Sequence, residues 1–155
     1  MWIKKVLLFV GVALAALGAQ AQTKAPAAGA AAAAVIGYVK TVKGEAFVDA
    51  GGQAIKAVEG TPLKVGDVVR TGANGSAGIT LKDNTVMSFG PSTRFTLEEY
   101  LFAPAKGDLK LGGRLASGSL HYVSGLIAKA KPEAVNVKTP TGTIGVRGTR
   151  FVAVV

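Results

Sequence analysis

Short β-favouring runs alternate with tight turns along Val35–Tyr100, at intervals of roughly ten residues. The turn signals between them are Gly51-Gly52, Asn74-Gly75 and Gly90-Pro91-Ser92. Ala77, Ile79 and Leu81 alternate with smaller or polar residues, which is typical of a strand with one buried face. Because this spacing leaves no room for helical crossovers, we predict an all-β single domain whose short strands form a β-solenoid-like or sandwich-like wrap.

The second half of the chain is expected to continue this architecture, with two irregular segments. Leu101–Gly113 contains a proline and three glycines, and it predicts an exposed loop that ends in a hairpin around Leu109–Leu111. Gly118–Ile127 resumes the β pattern, and Lys129–Pro132 predicts a basic turn.

The start of the chain predicts an export signal. Lys4 and Lys5 precede the apolar run Val6–Leu17, and Ala19-Gln20-Ala21 has the small-x-small pattern that signal peptidase cleaves. The run is shorter than the roughly 20 residues that span a bilayer, so we expect a cleaved signal rather than an anchor. The predicted division is a signal peptide at 1–21, an Ala-rich flexible linker at 22–34 and one β domain at 35–155.

Basic residues are concentrated in the C-terminal third. The chain has a formal net charge of +9, and from Leu101 onward eight basic residues face two acidic ones. In an exported protein this predicts a positive surface for anionic lipid, polysaccharide or an acidic protein patch. Nucleic acid is not expected as a partner, because export places the protein in a compartment where nucleic acid is a weak candidate. A solvated surface that keeps the protein soluble explains the charge equally well. The chain has no cysteine, so its stability depends on packing.

No residue pattern predicts catalysis or metal binding. His121 is the only histidine, and although it shares a strand face with Ser119, the chain has no G-x-S-x-G motif. Asp67, Asp83 and Asn84 do not match a calcium-binding loop and are interpreted as turn residues that bond their own backbone. We therefore predict no catalytic residue, no metal site and no cofactor.

The stretch Thr139–Phe151, with the sequence T-P-T-G-T-I-G-V-R-G-T-R-F, is the most distinctive motif. Gly142, Gly145 and Gly148 are three residues apart, and Gly72, Gly75 and Gly78 have the same spacing. Neither set fits a Walker loop or a dinucleotide fingerprint. We interpret the glycines as sites of close backbone approach, bulges or sharp corners in a sheet rather than as a phosphate cradle.

The motif also contains two arginines and leads into an apolar end. On an extended strand Arg147 and Arg150 point to opposite faces. We predict that Arg147 is buried in an ion pair with Asp67 or Asp83, while Arg150 faces solvent. The residues after the motif, Val152–Val155, predict a strand that is paired within the domain or offered to a partner as an edge.

Several of these stretches together resemble the FecR domain family of exported bacterial proteins. The matching stretches, in family order, are Val39–Ala46, Leu63–Gly72, Gly75–Ala77, Leu81–Thr85, Thr139-Pro140 and Gly145–Phe151. The resemblance covers nearly all of residues 35–155 and implies a β-helical or sandwich-like fold. In the family's best-known members, the domain lies on the periplasmic side of a membrane-spanning anti-sigma regulator. There it receives a signal from an outer-membrane iron–siderophore receptor.

The chain departs from that pattern, because we expect in it no cytoplasmic sigma-binding segment, no second membrane helix and no C-terminal companion domain. The resemblance implies a stand-alone periplasmic or secreted protein. We predict a non-catalytic binding, adaptor or sensing module of the cell envelope that recognises an envelope protein or polysaccharide. One alternative is a module that binds anionic glycan or lipid through the basic C-terminal third. A remote alternative is an envelope hydrolase that uses His121.

Two groups of residues carry these predictions. The predicted partner or anion contacts are Arg150, Lys129 and Lys131. The predicted structural motif residues are Gly66, Asp67, Gly142, Gly145, Arg147 and Gly148. No stable membrane span is expected after signal cleavage.

Overall fold

The structure is a computed structural model and describes residues 34–155. The predicted signal peptide and all of the predicted linker except Ala34 lie outside the described residues. Within residues 34–155, no helix combines the length and the apolar character that crossing a membrane requires.

Strands account for most of the described residues. They are β1 (Val35–Lys43), β2 (Ala46–Ala50), β3 (Gln53–Lys56), β4 (Pro62–Lys64), β5 (Val68–Thr71), β6 (Ser76–Leu81), β7 (Val86–Phe89), β8 (Arg94–Ala103), β9 (Asp108–Ser117), β10 (Ser119–Val123), β11 (Val135–Thr139), β12 (Gly142–Gly145) and β13 (Arg150–Val154). One helix, α1 (Leu126–Ala130), and two short 3₁₀ helices, Pro104–Lys106 and Pro132–Ala134, complete the secondary structure of this region. The all-β prediction is confirmed.

The strands form two sheets. The six-stranded sheet has the order β13-β10-β7-β6-β1-β4, and the seven-stranded sheet has the order β12-β11-β9-β8-β5-β2-β3. Among the described pairs only β9 and β11 run parallel, whereas a β-solenoid stacks its strands in parallel. Of the two predicted architectures, the structure therefore has the sandwich-like one.

One apolar core lies between the sheets. Its largest fully buried side chains come from both of them: Ile79, Leu81, Met87, Phe89, Leu120 and Tyr122 from the six-stranded sheet, and Phe95, Leu97, Leu111 and Leu115 from the seven-stranded sheet. The rings of Phe89 and Phe95, one from each sheet, lie with their centroids 5.2 Å apart. A Cβ atom at Gly113 in β9 would overlap the Phe95 ring of the neighbouring strand β8, so close packing between these two strands requires glycine there.

The predicted loop over Leu101–Gly113 is wrong. Strands β8 and β9 form a hairpin of two ten-residue strands, and its turn lies at Pro104–Gly107. Phe102 pairs with Leu109 across this hairpin, and both side chains are partly buried against the core. That packing keeps the segment extended despite its glycines, because burial outweighs their weak strand propensity.

A helix replaces the basic turn predicted at Lys129–Pro132. Helix α1 begins where the Leu126 amide donates to the Asp83 carbonyl oxygen at 2.7 Å and the Ile127 amide donates to the Asp83 carboxylate at 3.2 Å. Ile127 and Ala128 are buried. The helix is too short to be stable alone, so these tertiary contacts determine it.

Asp83 is the polar centre of this region and is fully buried. Its carboxylate accepts hydrogen bonds from the Thr85 hydroxyl at 2.7 Å and the Tyr100 hydroxyl at 3.2 Å. The Tyr100 hydroxyl also accepts from the Asp83 amide at 2.9 Å. Burial, followed by the nearby Asp83 charge, raises the pKa of Tyr100. Asp83 thus joins the β6–β7 turn, β8 and α1.

Candidate binding surface

The C-terminal motif lies at an open end of the sandwich. Strand β12 is the last strand of the seven-stranded sheet, and β13 is the last strand of the six-stranded sheet. A cavity of about 360 Å³ lies between them. Its lining is Thr139, Thr141, Gly142, Thr143, Ile144 and Val152–Val155. The open end is therefore bordered by two sheet edges that no other strand of the described region pairs with.

Among the strands of residues 34–155, β13 pairs with β10 alone, along one side. The Val155 amide donates to the Gly118 carbonyl at 2.9 Å, and the Thr149 carbonyl accepts from the Ser124 amide at 2.8 Å. Hydrogen-bonded and non-hydrogen-bonded positions alternate in an antiparallel pair. The amides and carbonyls of Arg150, Val152 and Val154 therefore point away from β10, toward the free edge.

The outer face of the six-stranded sheet carries little charge near this edge. Across β7, β10 and β13 the outward-facing positions are Val86, Ser88, Ser119, His121, Val123, Arg150, Val152 and Val154. Only Arg150 among them is formally charged at neutral pH. Val152 and Val154 are 65% and 76% exposed, so two apolar residues at the sheet edge face solvent over most of their surface.

The outer face of the seven-stranded sheet carries several charged residues that form ion pairs with one another. Arg70 donates two hydrogen bonds of 2.7 Å to Asp49 and lies over the Phe47 ring at 5.7 Å. Further along the sheet, Glu98 accepts from Arg114 at 2.7 Å and from Lys138 at 2.9 Å. These two hydrogen bonds, the one from Arg114 first, lower the pKa of Glu98. The two outer faces thus differ in chemistry.

The three predicted contact residues do not form one site. Arg150 is exposed at the start of β13, opposite Val123 of β10. Lys129 is exposed on α1 and borders a largely apolar cavity whose lining does not include Arg150. Lys131 is exposed just after the helix. Their assignment as contacts remains a prediction.

The predicted ion pair of Arg147 with Asp67 or Asp83 is wrong. Arg147 is exposed in the segment between β12 and β13, and its neighbour Val146 is the buried residue. Both aspartates already have local donors: the Asp67 carboxylate accepts from the Lys64 amide at 2.8 Å, and Asp83 accepts the bonds described above. Neither needs an arginine to compensate its burial.

The two glycine triplets differ in whether they show the predicted close approach. A Cβ at Gly142 or Gly145 would meet no atom within 4 Å, so close approach does not explain them. Gly148 has a φ of +121°, a conformation that other residues rarely adopt. In the triplet Gly72, Gly75 and Gly78 the prediction is confirmed at Gly75, where a Cβ would overlap the Glu45 carbonyl oxygen. Gly66 and Asp67 form the turn before β5, where the Gly66 amide donates to Leu97 at 2.6 Å.

Sequence reasoning missed two apolar clefts. One, of about 480 Å³, lies beside β3 and β4 and includes Ile55, Val58 and Pro62. The other, of about 410 Å³, lies between the β8–β9 hairpin and α1, at Phe102 and Leu126. The exposed apolar residues were visible in the sequence, but their meeting across the fold depends on strand order, which no local pattern contains.

Comparisons with known proteins give one result. The family model described as "FecR protein" matches residues 67–155. Searches of curated proteins and of solved structures found no match. The matched region includes the buried Asp83 and the C-terminal motif and extends over more than half of the chain. The chain therefore belongs to the FecR family, which takes part in signal transduction at the cell envelope.

Proposed function

We propose that this protein is a non-catalytic sensing or adaptor module that recognises another protein of the bacterial cell envelope, in the periplasm or outside the cell. The observation that carries the proposal is the nearly uncharged outer face of β7, β10 and β13, which ends in the exposed Val152 and Val154. Large exposed apolar side chains grouped on one surface mark interaction sites more often than isolated ones do. The signal-like pattern of residues 1–21 supports export.

A matched pair of lysine substitutions tests whether the outer face of β7, β10 and β13 binds the partner. Val86 lies on the outer face of the six-stranded sheet, and Ala116 is an exposed position of β9 in the other sheet. Immobilised wild-type protein should retain an envelope protein from solubilised envelope. The V86K variant should lose most of it, and A116K should retain it, because only V86K places a charge within the proposed contact. Recovery of no partner by wild type, or equal recovery by both variants, would contradict the proposal.

Anionic glycan or lipid is a second candidate ligand class. Lys129, Lys131, Arg147 and Arg150 are exposed, and none of them belongs to the four ion pairs found among the described residues. Arginine suits bidentate recognition of carboxylate or phosphate. Binding to an acidic polysaccharide should weaken as salt rises and should weaken further in an R147Q/R150Q variant. Binding that is indifferent to salt would exclude this class.

A further inference from the structure

We propose that β13 binds an extended, acidic segment of the partner protein by strand addition, so that the partner supplies one more strand to the six-stranded sheet. This inference rests on the proposed protein-binding function and specifies its mode. Its basis is the free backbone of Arg150, Val152 and Val154, whose outward amides and carbonyls form a ready-made ladder for another strand.

Among the four sheet edges of the described region, β13 is the least protected. Strand β4 has three residues, begins with a proline and pairs irregularly with β1. Strand β3 has four residues and ends in Lys56. Strand β12 has four residues and is bounded by glycines. Strand β13 has five residues in regular register with β10, contains no proline and carries charge only at its first residue. Short edges, prolines, bulges and lysines are the usual means of preventing strand addition, and β13 lacks all of them.

Charge determines the kind of partner. Arg150 is the charged residue of β13, Arg147 precedes that strand and is exposed, and residues 134–155 contain no acidic residue. The remaining basic residue of this stretch, Lys138, is paired with Glu98 on the other sheet. A second copy that paired antiparallel about Val152 would set Arg150 opposite Val154 of its partner, so it would supply no acidic residue beside Arg150. A segment with acidic residues beside Arg150 complements the edge instead. The occupant is therefore an acidic strand of another protein.

The cavity at the open end gives the added strand its inward contacts. Side chains of a strand alternate between the two faces of a sheet. Every second side chain of an added strand would face the cavity of about 360 Å³ beside Ile144, and the others would continue the surface formed by Val152 and Val154. The preferred segment thus has apolar residues at alternate positions and acidic residues at its ends.

Synthetic peptides provide the direct test. The first peptide alternates valine and threonine and has glutamates at both ends. The second has lysines in place of the glutamates, and the third has a proline at its centre. Fluorescence polarisation with labelled peptides should show binding of the first to wild-type protein, about tenfold weaker binding of the second, and no binding of the third, because proline removes a ladder donor. Failure of the first peptide to bind, or equal binding of all three, would overturn the proposal.

Proline substitutions in the protein show whether the peptide binds at the β13 edge or at another sheet edge. Val152 and Val154 have outward amides, so V152P and V154P each remove a donor from the free edge without breaking a bond to β10. The control is A54P on the edge strand β3. The Ala57 amide donates to the Ala46 carbonyl, and because hydrogen-bonded positions alternate along the pair, the Ala54 amide points away from β2. Each variant's fold is checked by thermal unfolding, and the second β13 variant is used where the first fails to fold.

Each β13 variant should bind the acidic peptide about tenfold more weakly than wild type, because the proline removes one backbone hydrogen bond to the added strand and weakens those beside it. A54P should leave binding unchanged. Equal loss in A54P and V152P would overturn the proposal. Retention of a natural envelope partner by both V152P and V154P would overturn strand addition while leaving the proposed binding function intact.

Discussion

A buried carboxylate explains why the Leu81–Thr85 stretch is distinctive. Asp83 accepts hydrogen bonds from Thr85, Tyr100 and the Ile127 amide, although it is fully buried. A buried polar group of this kind is tolerated only where its bonds are made, and removing it leaves the donors around it without acceptors. A turn residue that bonds its own backbone was predicted at this position. The structure adds that Asp83 also organises a helix more than 40 residues away in sequence.

An alanine substitution measures that role. D83A should lower the free energy of unfolding by about 3 kcal/mol, because it leaves buried donors of Thr85 and Ile127 unsatisfied. The neighbouring K82A, at an exposed position, should change it by less than about 0.5 kcal/mol. Urea unfolding at neutral pH measures both. A loss below about 1 kcal/mol in D83A would show that the cluster contributes little to stability.

The pKa of Tyr100 gives the fold a dependence on alkaline pH. Because burial raises the folded-state pKa, the folded protein holds the phenol proton more tightly than the unfolded chain, whose tyrosines titrate near pH 10. This contribution to stability is complete below about pH 10 and is lost as pH rises above it. Y100F should be less stable at neutral pH and should lose less stability between mildly and strongly alkaline pH than wild type. Urea unfolding across that range tests this, and parallel pH profiles for the two proteins would contradict it.

At the scale of the strands, glycine is required only where a larger side chain would have no room. Gly113 in β9 faces the Phe95 ring, whereas Gly142 in β12 has open space around its Cβ position. G113A should destabilise the protein by about 1–3 kcal/mol, because the added methyl overpacks the core. G142A should be neutral within about 0.5 kcal/mol. Thermal unfolding of the two variants tests this prediction. Equal stability of the two would mean that the Phe95 ring accommodates the added methyl group without loss of stability.

The elements that sequence reasoning predicted well are those with local signals. Alternation identified β6, and the Asn74-Gly75 and Gly51-Gly52 pairs identified turns that the structure contains. The β8–β9 hairpin was missed because its distal half owes its extension to the packing of Phe102 and Leu109. Helix α1 was missed because its first bonds come from Asp83. Both errors fall where tertiary contacts override weak local preference.

At the scale of the whole molecule, the sequence predicted the fold class but not the positions of charge. The basic C-terminal third was visible as a count, yet the structure distributes its charges. Arg114 and Lys138 pair with Glu98 on one outer face, and Arg150 lies on the edge strand of the other sheet. Arg147 borders a separate cavity beside Glu133 and Asn136. The strand order places β13 beside β10 and leaves it open on the other side. An exposed apolar edge follows from that order, and no pattern within Val152–Val155 distinguishes an edge strand from a central one.

The core also indicates which parts of the chain the fold requires. Every buried apolar residue of the described region lies between Ile36 and Ala153. Residues 22–33 are rich in alanine and show no amphipathic pattern, so we predict that a chain of residues 34–155 has a free energy of unfolding within about 0.5 kcal/mol of that of a chain beginning at residue 22. Urea unfolding of the two chains tests this, and a clearly weaker 34–155 chain would show that residues 22–33 contribute to the fold.

The opposite truncation should behave differently. Ending the chain at Thr139 removes the buried Val146 and Ala153 and exposes Tyr122, whose ring stacks on Phe151 at a centroid distance of 4.9 Å. It also removes the backbone partners of β10 on that side, so buried apolar surface and ladder bonds are lost together. The loss should exceed about 5 kcal/mol, comparable to the total stability of many small domains, and cooperative unfolding should disappear. Cooperative thermal unfolding of this shortened chain would mean that β12 and β13 are appended to the sandwich rather than part of its core.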